Sequence, residues 1–175
     1  LRNRIIQQDP SLIFLYDVMT VSDKSGAGGF LVRDLSPLQD GNYYLEATAI
    51  PYVGRKIAQL QGEDFATLWK EAYSKKLGIA KARLLLDYGI QHETPNAQNF
   101  LIQLDTKLRP TGKIAMRDLS DTVMVRPVAD AIGEGHMLRL EEEMDYPIAS
   151  DLQPNSGHSF SLFDVADDHA VPVSV

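Results

Sequence analysis

Apolar and polar positions along this chain change period several times, and each change predicts an element. Residues 12–21 (LIFLYDVMTV) are dense in branched and aromatic side chains. So short an apolar run predicts a buried strand, with a short helix as the rival reading. Before it, residues 1–8 alternate too briefly to classify and suit the end of a helix begun upstream. Asp9-Pro10-Ser11 reads as a turn or a helix start, because Asp caps well and Pro suits the first helical position. The glycines within residues 25–29 predict a flexible loop. Residues 30–35 resume a strand that carries Arg33. Asp40-Gly41-Asn42 predicts a turn, and residues 43–50 (YYLEATAI) a further strand ending at Pro51. The N-terminal third therefore predicts a small antiparallel sheet.

The period then lengthens. Between residues 62 and 87, Phe65, Leu68, Trp69, Ala72, Leu77, Ala80 and Leu84 recur at steps of three and four, which makes one apolar helical face. Glu63 and Asp64 supply the acidic start that a helix N-terminus favours. Lys70, Lys75, Lys76, Lys81 and Arg83 lie mostly off the apolar face, and Glu71 stands four residues before Lys75, a favourable ion-pair spacing. These cations read as a solvated helix face rather than a polyanion-binding patch. Gly78 is the expected point of division into two helices.

The helical pattern stops at Gly89. A short polar loop follows, bearing Glu93, Asn96, Gln98 and Asn99. Next come an apolar run (100–104), a turn around Pro110 and Gly112, and a second apolar run ending on Arg117 and Asp118. If the two runs pair as a hairpin, the amide cluster and the Arg-Asp pair come together. Residues 121–128 predict a short strand, and 129–139 a helix interrupted by Gly133 and Gly135. From residue 140 the rhythm is lost among acids, Pro147, Pro154, Asn155 and Gly157. The expected division is an α+β domain over 1–132, a small antiparallel sheet packed with helices, and a loop-rich extension over 133–175.

Composition narrows the function classes. A chain of 175 residues, 44% hydrophobic, can bury one sizeable core, as a single domain or as one lobe of a larger protein. A net charge of −7 argues against a nucleic-acid groove, whose footprint is a basic stripe. The absence of cysteine excludes disulfides and thiolate metal sites and fits a cytoplasmic protein. No apolar stretch is long enough to span a bilayer and no signal peptide is visible, so no membrane partner is expected.

Candidate chemistry reduces to one place. The GAGG glycines at 26–29 lack the Lys-Ser/Thr of a P-loop and read as a hairpin loop. His92, His136, His158 and His169 lack the spacing of a zinc site. Asp164, Asp167, Asp168 and His169 read as a solvated acidic tail before a cation site. No G-x-S-x-G elbow is present. At the centre, Gln98 and Asn99 offer amide oxygens to a metal and amide N–H groups to a phosphate or carboxylate. Asp118 offers a hard anionic oxygen suited to Mg²⁺, and Arg117 a forked cation for phosphate or carboxylate. In a regular strand residues 117 and 118 face opposite ways, so both serve one site only where the strand ends. On residue chemistry alone, turn capping and surface ion pairing are the more ordinary roles for these side chains.

A resemblance shifts that balance. YGI at 88–90, NAQN at 96–99, NFLIQL at 99–104 and RDL at 117–119 resemble, in order and spacing, the C-terminal half of the siderophore synthetases that act independently of non-ribosomal peptide synthetases, the aerobactin-synthetase type. The likeness covers about a third of the chain closely, from Trp69 to Asp118, and about two thirds loosely. It implies the palm region of an ATP- and Mg²⁺-dependent ligase that adenylates a carboxylate, often citrate, before an amine or hydroxyl displaces AMP. Carried over, Gln98, Asn99 and Asp118 line the ATP–metal site with Arg33 as a further nucleotide contact, Glu93 joins Asp118 and Gln98 at the metal, and Asn96 and Arg117 serve catalysis. The chain departs from the family pattern. Asn96 stands where the family has His, Thr94 where it has Glu with Glu93 one residue out of register, and Ser120 where it has Gly. Pro95 falls in the same loop, and the family's Ser-x-Arg-Thr phosphate segment is absent from these residues. Partners implied are small-molecule carboxylate and amine substrates, and either the missing half of a larger protein or a second copy in a homodimer. The alternatives are a scaffold that keeps the fold without the chemistry, and a kinase-like phosphotransferase. The latter is disfavoured because no Asp fills a catalytic-base position before Asn99.

Overall fold

A computed structural model describes residues 11–22, 28–92, 96–118, 122–133 and 148–149. Its centre is the hairpin of β6 (Phe100–Leu104) and β7 (Pro110–Met116), which pair antiparallel with Phe100 opposite Met116 and Ile102 opposite Ile114. The expected pairing of the two apolar runs is therefore present. The turn lies earlier than expected. Asp105 Oδ1 accepts from the backbone N–H groups of Lys107 and Arg109, and Leu108 takes a left-handed conformation at φ 61°. Pro110 then opens β7, and Gly112 lies within that strand at φ 89°, near the register shift between Ile102 and Leu104.

Two distant segments complete this sheet in the order β1-β7-β6-β4. β1 (Leu12–Phe14) pairs parallel to β7, and β4 (Tyr43–Glu46) pairs antiparallel to β6. Leu12, Ile114 and Ile102 form one cross-strand row, and Phe14, Met116 and Phe100 the next. Both rows belong to the main core. The expected single N-terminal sheet is thus corrected. The run 12–21 breaks at Leu15-Tyr16 into β1 and β2 (Asp17–Ser22), and β2 pairs with β3 (Gly29–Arg33) as a separate two-stranded ribbon. A strand's partner is a nonlocal property that period-2 patterning does not carry.

The strand expected over 43–50 stops at Glu46. A tight turn over Ala47–Ala49 leads into helix α1 (Ile50–Gln61), where Pro51 occupies the first helical turn instead of ending a strand. Ile50, Gly54, Ile57 and Ala58 make its buried face, and Gly62 closes it at φ 72°.

The helical signal of residues 62–87 is realised as one run with a re-phasing in it. Asp64 caps α2 (Phe65–Trp69) by accepting from the Thr67 N–H at 2.9 Å, and α3 (Lys75–Tyr88) ends on Gly89 in the left-handed conformation. The division is not at Gly78, which lies inside α3 with open space around it. It is a π-helical turn over Lys70–Ser74. Trp69, Tyr73 and Leu77 are all buried at four-residue steps, which overrun the 3.6 period, and a wider turn keeps them on one face.

A third sheet joins β5 (Ile90–His92), β8 (Thr122–Val125) and β9 (Ile148–Ala149). Helix α4 (Arg126–Ala131) begins earlier than the expected residue 129, with Pro127 in its first turn. A Cβ at Gly89 would lie 3.2 Å from the Ala129 backbone, so α4 packs directly on the α3 cap. Ile148 and Ala149 pair with Met124 and Val125 within the segment expected to be loop-rich; the rest of that expectation, from 134 to 147 and from 150 onward, lies outside the described residues.

Buried polar groups lock the register of the central sheet. Gln103, 1% exposed, donates to Asp40 Oδ2 at 2.6 Å and to the Tyr44 hydroxyl at 2.8 Å, and its Oε1 accepts from the Thr111 hydroxyl. Burial, with the neighbouring Asp40, pushes the Tyr44 phenol up to about 12. A one-residue slip of β6 would leave this amide unpaired in the sheet.

The carboxylates at the two turn sites give the fold a definite acid sensitivity. Backbone N–H groups at Thr67 and Arg109 hold Asp64 and Asp105 below the ordinary value of 3.8. A depressed folded value means the contribution is present above the unfolded value and is lost as pH falls through the folded one. Thermal melts are expected to be level from neutrality to about pH 5 and to fall below pH 3.8. The fall should be shallower in Asp64→Asn, and an identical acid limb in that variant would refute the assignment.

Candidate functional site

The polar cluster forms where the β6–β7 hairpin opens, at the end opposite its turn. A short 3₁₀ turn over Ala97–Asn99 enters β6, and β7 gives way to Arg117 and Asp118. Arg117 N–H donates to the Asn99 carbonyl at 3.0 Å, continuing the ladder by one step. Asp118 then departs into the left-handed conformation at φ 61°. β7 has already ended at Met116, so both residues lie past the strand end, which is the condition for both to serve one place. Asp is among the few non-glycine residues that tolerate this conformation.

Asn99 binds the two ends together. Its side chain, 2% exposed in residue terms, donates through Nδ2 to Asp118 Oδ2 at 3.2 Å. With Nδ2 so engaged, Oδ1 is the acceptor end of the amide. Asn96 is half-buried at the start of the turn, and Gln98 between them is exposed. Directly behind, Phe100 is fully buried and meets the buried His92 ring edge-on, with centroids 5.8 Å apart. The cluster is therefore anchored in the core through Phe100 and the buried Asn99, while Asn96, Arg117 and Asp118 are half-buried and Gln98 is exposed.

Arg117 reaches sideways to Glu46 at the end of β4, with Nη2 to Oε2 at 2.9 Å. Thr48, in the turn after β4, donates to Glu46 Oε1. Neither Glu46 nor Thr48 was singled out from sequence. Glu46 and Arg117 are 71 residues apart, and only the β4–β6 pairing brings them together.

Of the residues expected from sequence, hydrogen bonds join Asn99 to Arg117 and Asp118, and Asn96 and Gln98 stand on the short turn just before Asn99. Arg33 lies on the β2–β3 ribbon that follows β1, and β1 runs on beside the end of β7, where the Leu15 N–H donates to the Met116 carbonyl at 2.9 Å. On the ribbon, Arg33 Nε and Nη2 grip the two Asp17 oxygens at 2.8 and 3.0 Å. That ion pair clamps the ribbon through the Nε/Nη2 edge and does not use Nη1. Glu93, expected at the metal, and its neighbours Thr94 and Pro95 lie outside the described residues.

The donor set suits a hard cation. One carboxylate with amide oxygens nearby is the sparse protein contribution that Mg²⁺ accepts when waters and substrate phosphates fill its remaining positions. Among the described residues no group of three or more His, Asp or Glu side chains is arranged to hold a metal by itself. A groove of about 490 Å³ lies at the far end of β7, lined by Gln61, Glu63, Lys76, Arg109 and Gly112 among others. The length of β7 separates this groove from Asp118 by roughly 20 Å. Among the described residues no helix is long and apolar enough to cross a membrane.

No protein-family model matches the chain, and no curated protein matches it significantly. Solved structures do match. Aerobactin synthetase IucC from a hypervirulent pathotype of Klebsiella pneumoniae aligns over 83% of this chain at a TM-score of 0.61 and 15% identity. The ATP-bound aerobactin synthetase IucA from the same source aligns over 77% at 0.56 and 17%. The petrobactin biosynthesis protein AsbB from Bacillus anthracis aligns over 74% at 0.53 and 18%. The fold is thus the α+β arrangement found in siderophore synthetases, in line with the resemblance seen in the motifs. The chain spans under a third of each of these structures: 29%, 28% and 24% of their respective lengths.

Proposed function

We propose that this chain is a nucleotide-handling lobe of an ATP- and Mg²⁺-dependent carboxylate–amine ligase of the siderophore-synthetase type. The observation that carries the reading is the Asn99–Asp118 contact just past the end of β7, where Asp118 takes a left-handed conformation, within a fold shared with aerobactin synthetases. Asp118, with the amide oxygens of Asn99 and Gln98, would hold Mg²⁺ between the protein and the nucleotide phosphates. That ion would supply charge neutralisation at the phosphates as pyrophosphate leaves. Arg117 would bind a phosphate or carboxylate oxygen through the fork edge that Glu46 does not use. Asn96 would orient the substrate by hydrogen bonding, since an amide cannot move a proton as an imidazole does.

A citrate-like carboxylate and an amine or hydroxyl are the proposed substrates, with a complementary half of a longer protein, or a second copy, closing the site. A second reading is favoured by one residue: Asn96, where the family pattern has His, suits a binding module that retains the nucleotide site without turnover.

Calorimetric titration with ATP, with and without Mg²⁺, tests the nucleotide site, and product analysis tests the reaction. Metal-dependent binding is the expected result. AMP and pyrophosphate from ATP, citrate and an amine support the ligase, ADP a phosphotransferase, and binding without turnover the module. A folded sample that does not bind Mg²⁺–ATP refutes the nucleotide reading.

A further inference from the structure

The Arg117 guanidinium does not stand alone at the cluster, and its neighbour is more than a counter-charge. Glu46 uses both carboxylate oxygens: Oε2 accepts from Arg117 Nη2 at 2.9 Å, and Oε1 accepts from the Thr48 hydroxyl. The Glu46 backbone is fixed as the last ladder residue of β4, opposite Leu101 of β6. Ala47, fully buried, roots the turn that carries Thr48. Arg117 is fixed at its own backbone by the bond from its N–H to Asn99. Arg117 is thus held at its backbone by Asn99 and at one guanidinium nitrogen by Glu46, while its side chain remains 30% exposed.

The contact with Glu46 uses one terminal nitrogen and leaves the other edge of the fork uncommitted by it. A guanidinium recognises phosphate or carboxylate oxygens through a planar edge, and a pre-aimed edge loses less freedom on binding. We infer that Glu46, steadied by Thr48, is a positioning residue that aims Arg117 at the anionic ligand of this site. The inference rests on the nucleotide reading above, with the nucleotide phosphate as that ligand.

The sign of one measurement separates aiming from neutralisation. If Glu46 only offsets the Arg117 charge, its removal frees a cation and tightens anion binding. If it aims the fork, removal weakens binding. Mg²⁺–ATP affinity is expected to fall about tenfold in Glu46→Ala and two- to threefold in Thr48→Val, the sizes expected for a lost charge-assisted and a lost neutral hydrogen bond. In Arg117→Ala, the further change Glu46→Ala should cost nothing more in affinity, because the residue being aimed is gone. A purely structural Glu46 would instead give additive losses that track the melting temperature. Equal or tighter binding by Glu46→Ala, or additive losses in the double variant, overturns the inference while leaving the nucleotide reading in place. A wild-type chain that is folded and does not bind Mg²⁺–ATP overturns both.

Discussion

Replacing Asp118 by Asn is expected to remove Mg²⁺-dependent ATP binding while leaving the melting temperature nearly unchanged. The substitution suits the question because Asn, like Asp, tolerates the left-handed conformation that residue 118 adopts at φ 61°. It also keeps a side-chain oxygen for the Asn99 Nδ2 donor. What it removes is the charge. A neutral amide oxygen is a much poorer partner for a hard divalent cation that keeps most of its water, so a loss of at least about 100-fold is expected, beyond the 10–100-fold typical of outer-shell partners. Asp118→Ala should lose binding equally and also melt lower, because a Cβ with no local hydrogen bond is strained in this conformation. Calorimetry with ATP, with and without Mg²⁺, read beside a thermal melt, separates the two effects. Undiminished metal-dependent binding by Asp118→Asn would remove Asp118 from the site.

The largest structural effect is expected at Trp69, the chain's single tryptophan. Its side chain is almost fully buried, and its indole N–H donates to the Gly54 carbonyl at 3.2 Å, joining the helical run to α1. Trp69→Ala removes a large apolar body from the meeting point of two helices and is expected to cost about 3–5 kcal/mol in urea denaturation followed by circular dichroism. Against a typical domain stability of about 5–15 kcal/mol, that is a severe loss. The same joint is tight from the other side. A Cβ on Gly54 would lie 2.7 Å from Trp69 Nε1, so Gly54→Ala should cost about 1–3 kcal/mol by displacing the indole. A Trp69→Ala loss below about 1 kcal/mol would mean that the helices are not held at this joint.

These two positions show how differently the site and the core read from sequence. Asn99 and Asp118 lie 19 residues apart, and a hairpin between two apolar runs is local enough that alternation predicts their approach. Alternation also requires a strand end if Arg117 and Asp118 are to share one place, and β7 ends at Met116, just before them. Glu46 was invisible for the opposite reason. It reaches Arg117 through a β4–β6 pairing that closes over a helical half of the protein, and nothing in YYLEATAI announces that partner. A strand delivers Arg33 as alternation predicts, but its ion pair with Asp17 depends on the β2–β3 pairing.

Elements behave likewise. The amphipathic run from Phe65 to Tyr88 and its cap at Gly89 were legible because helical contacts are local and repeat with one period. The π turn over Lys70–Ser74 was not, because glycine propensity pointed to Gly78 while packing set the phase at Trp69, Tyr73 and Leu77. Helix α1 was missed because Pro51 reads equally as a strand stop and as a first-turn residue.

By itself, then, the sequence determined what depends on neighbours within a few residues: the helical face and its Gly89 cap, the paired apolar runs, and the identity of the amides and carboxylate flanking them. Tertiary structure alone decided which strands lie side by side, that β1 runs parallel to β7, that the N-terminal third divides among separate sheets, and that Glu46 stands beside Arg117. The physical reason is that local period and propensity act through the covalent chain, whereas strand partners and ion pairs are chosen by burial of the whole core.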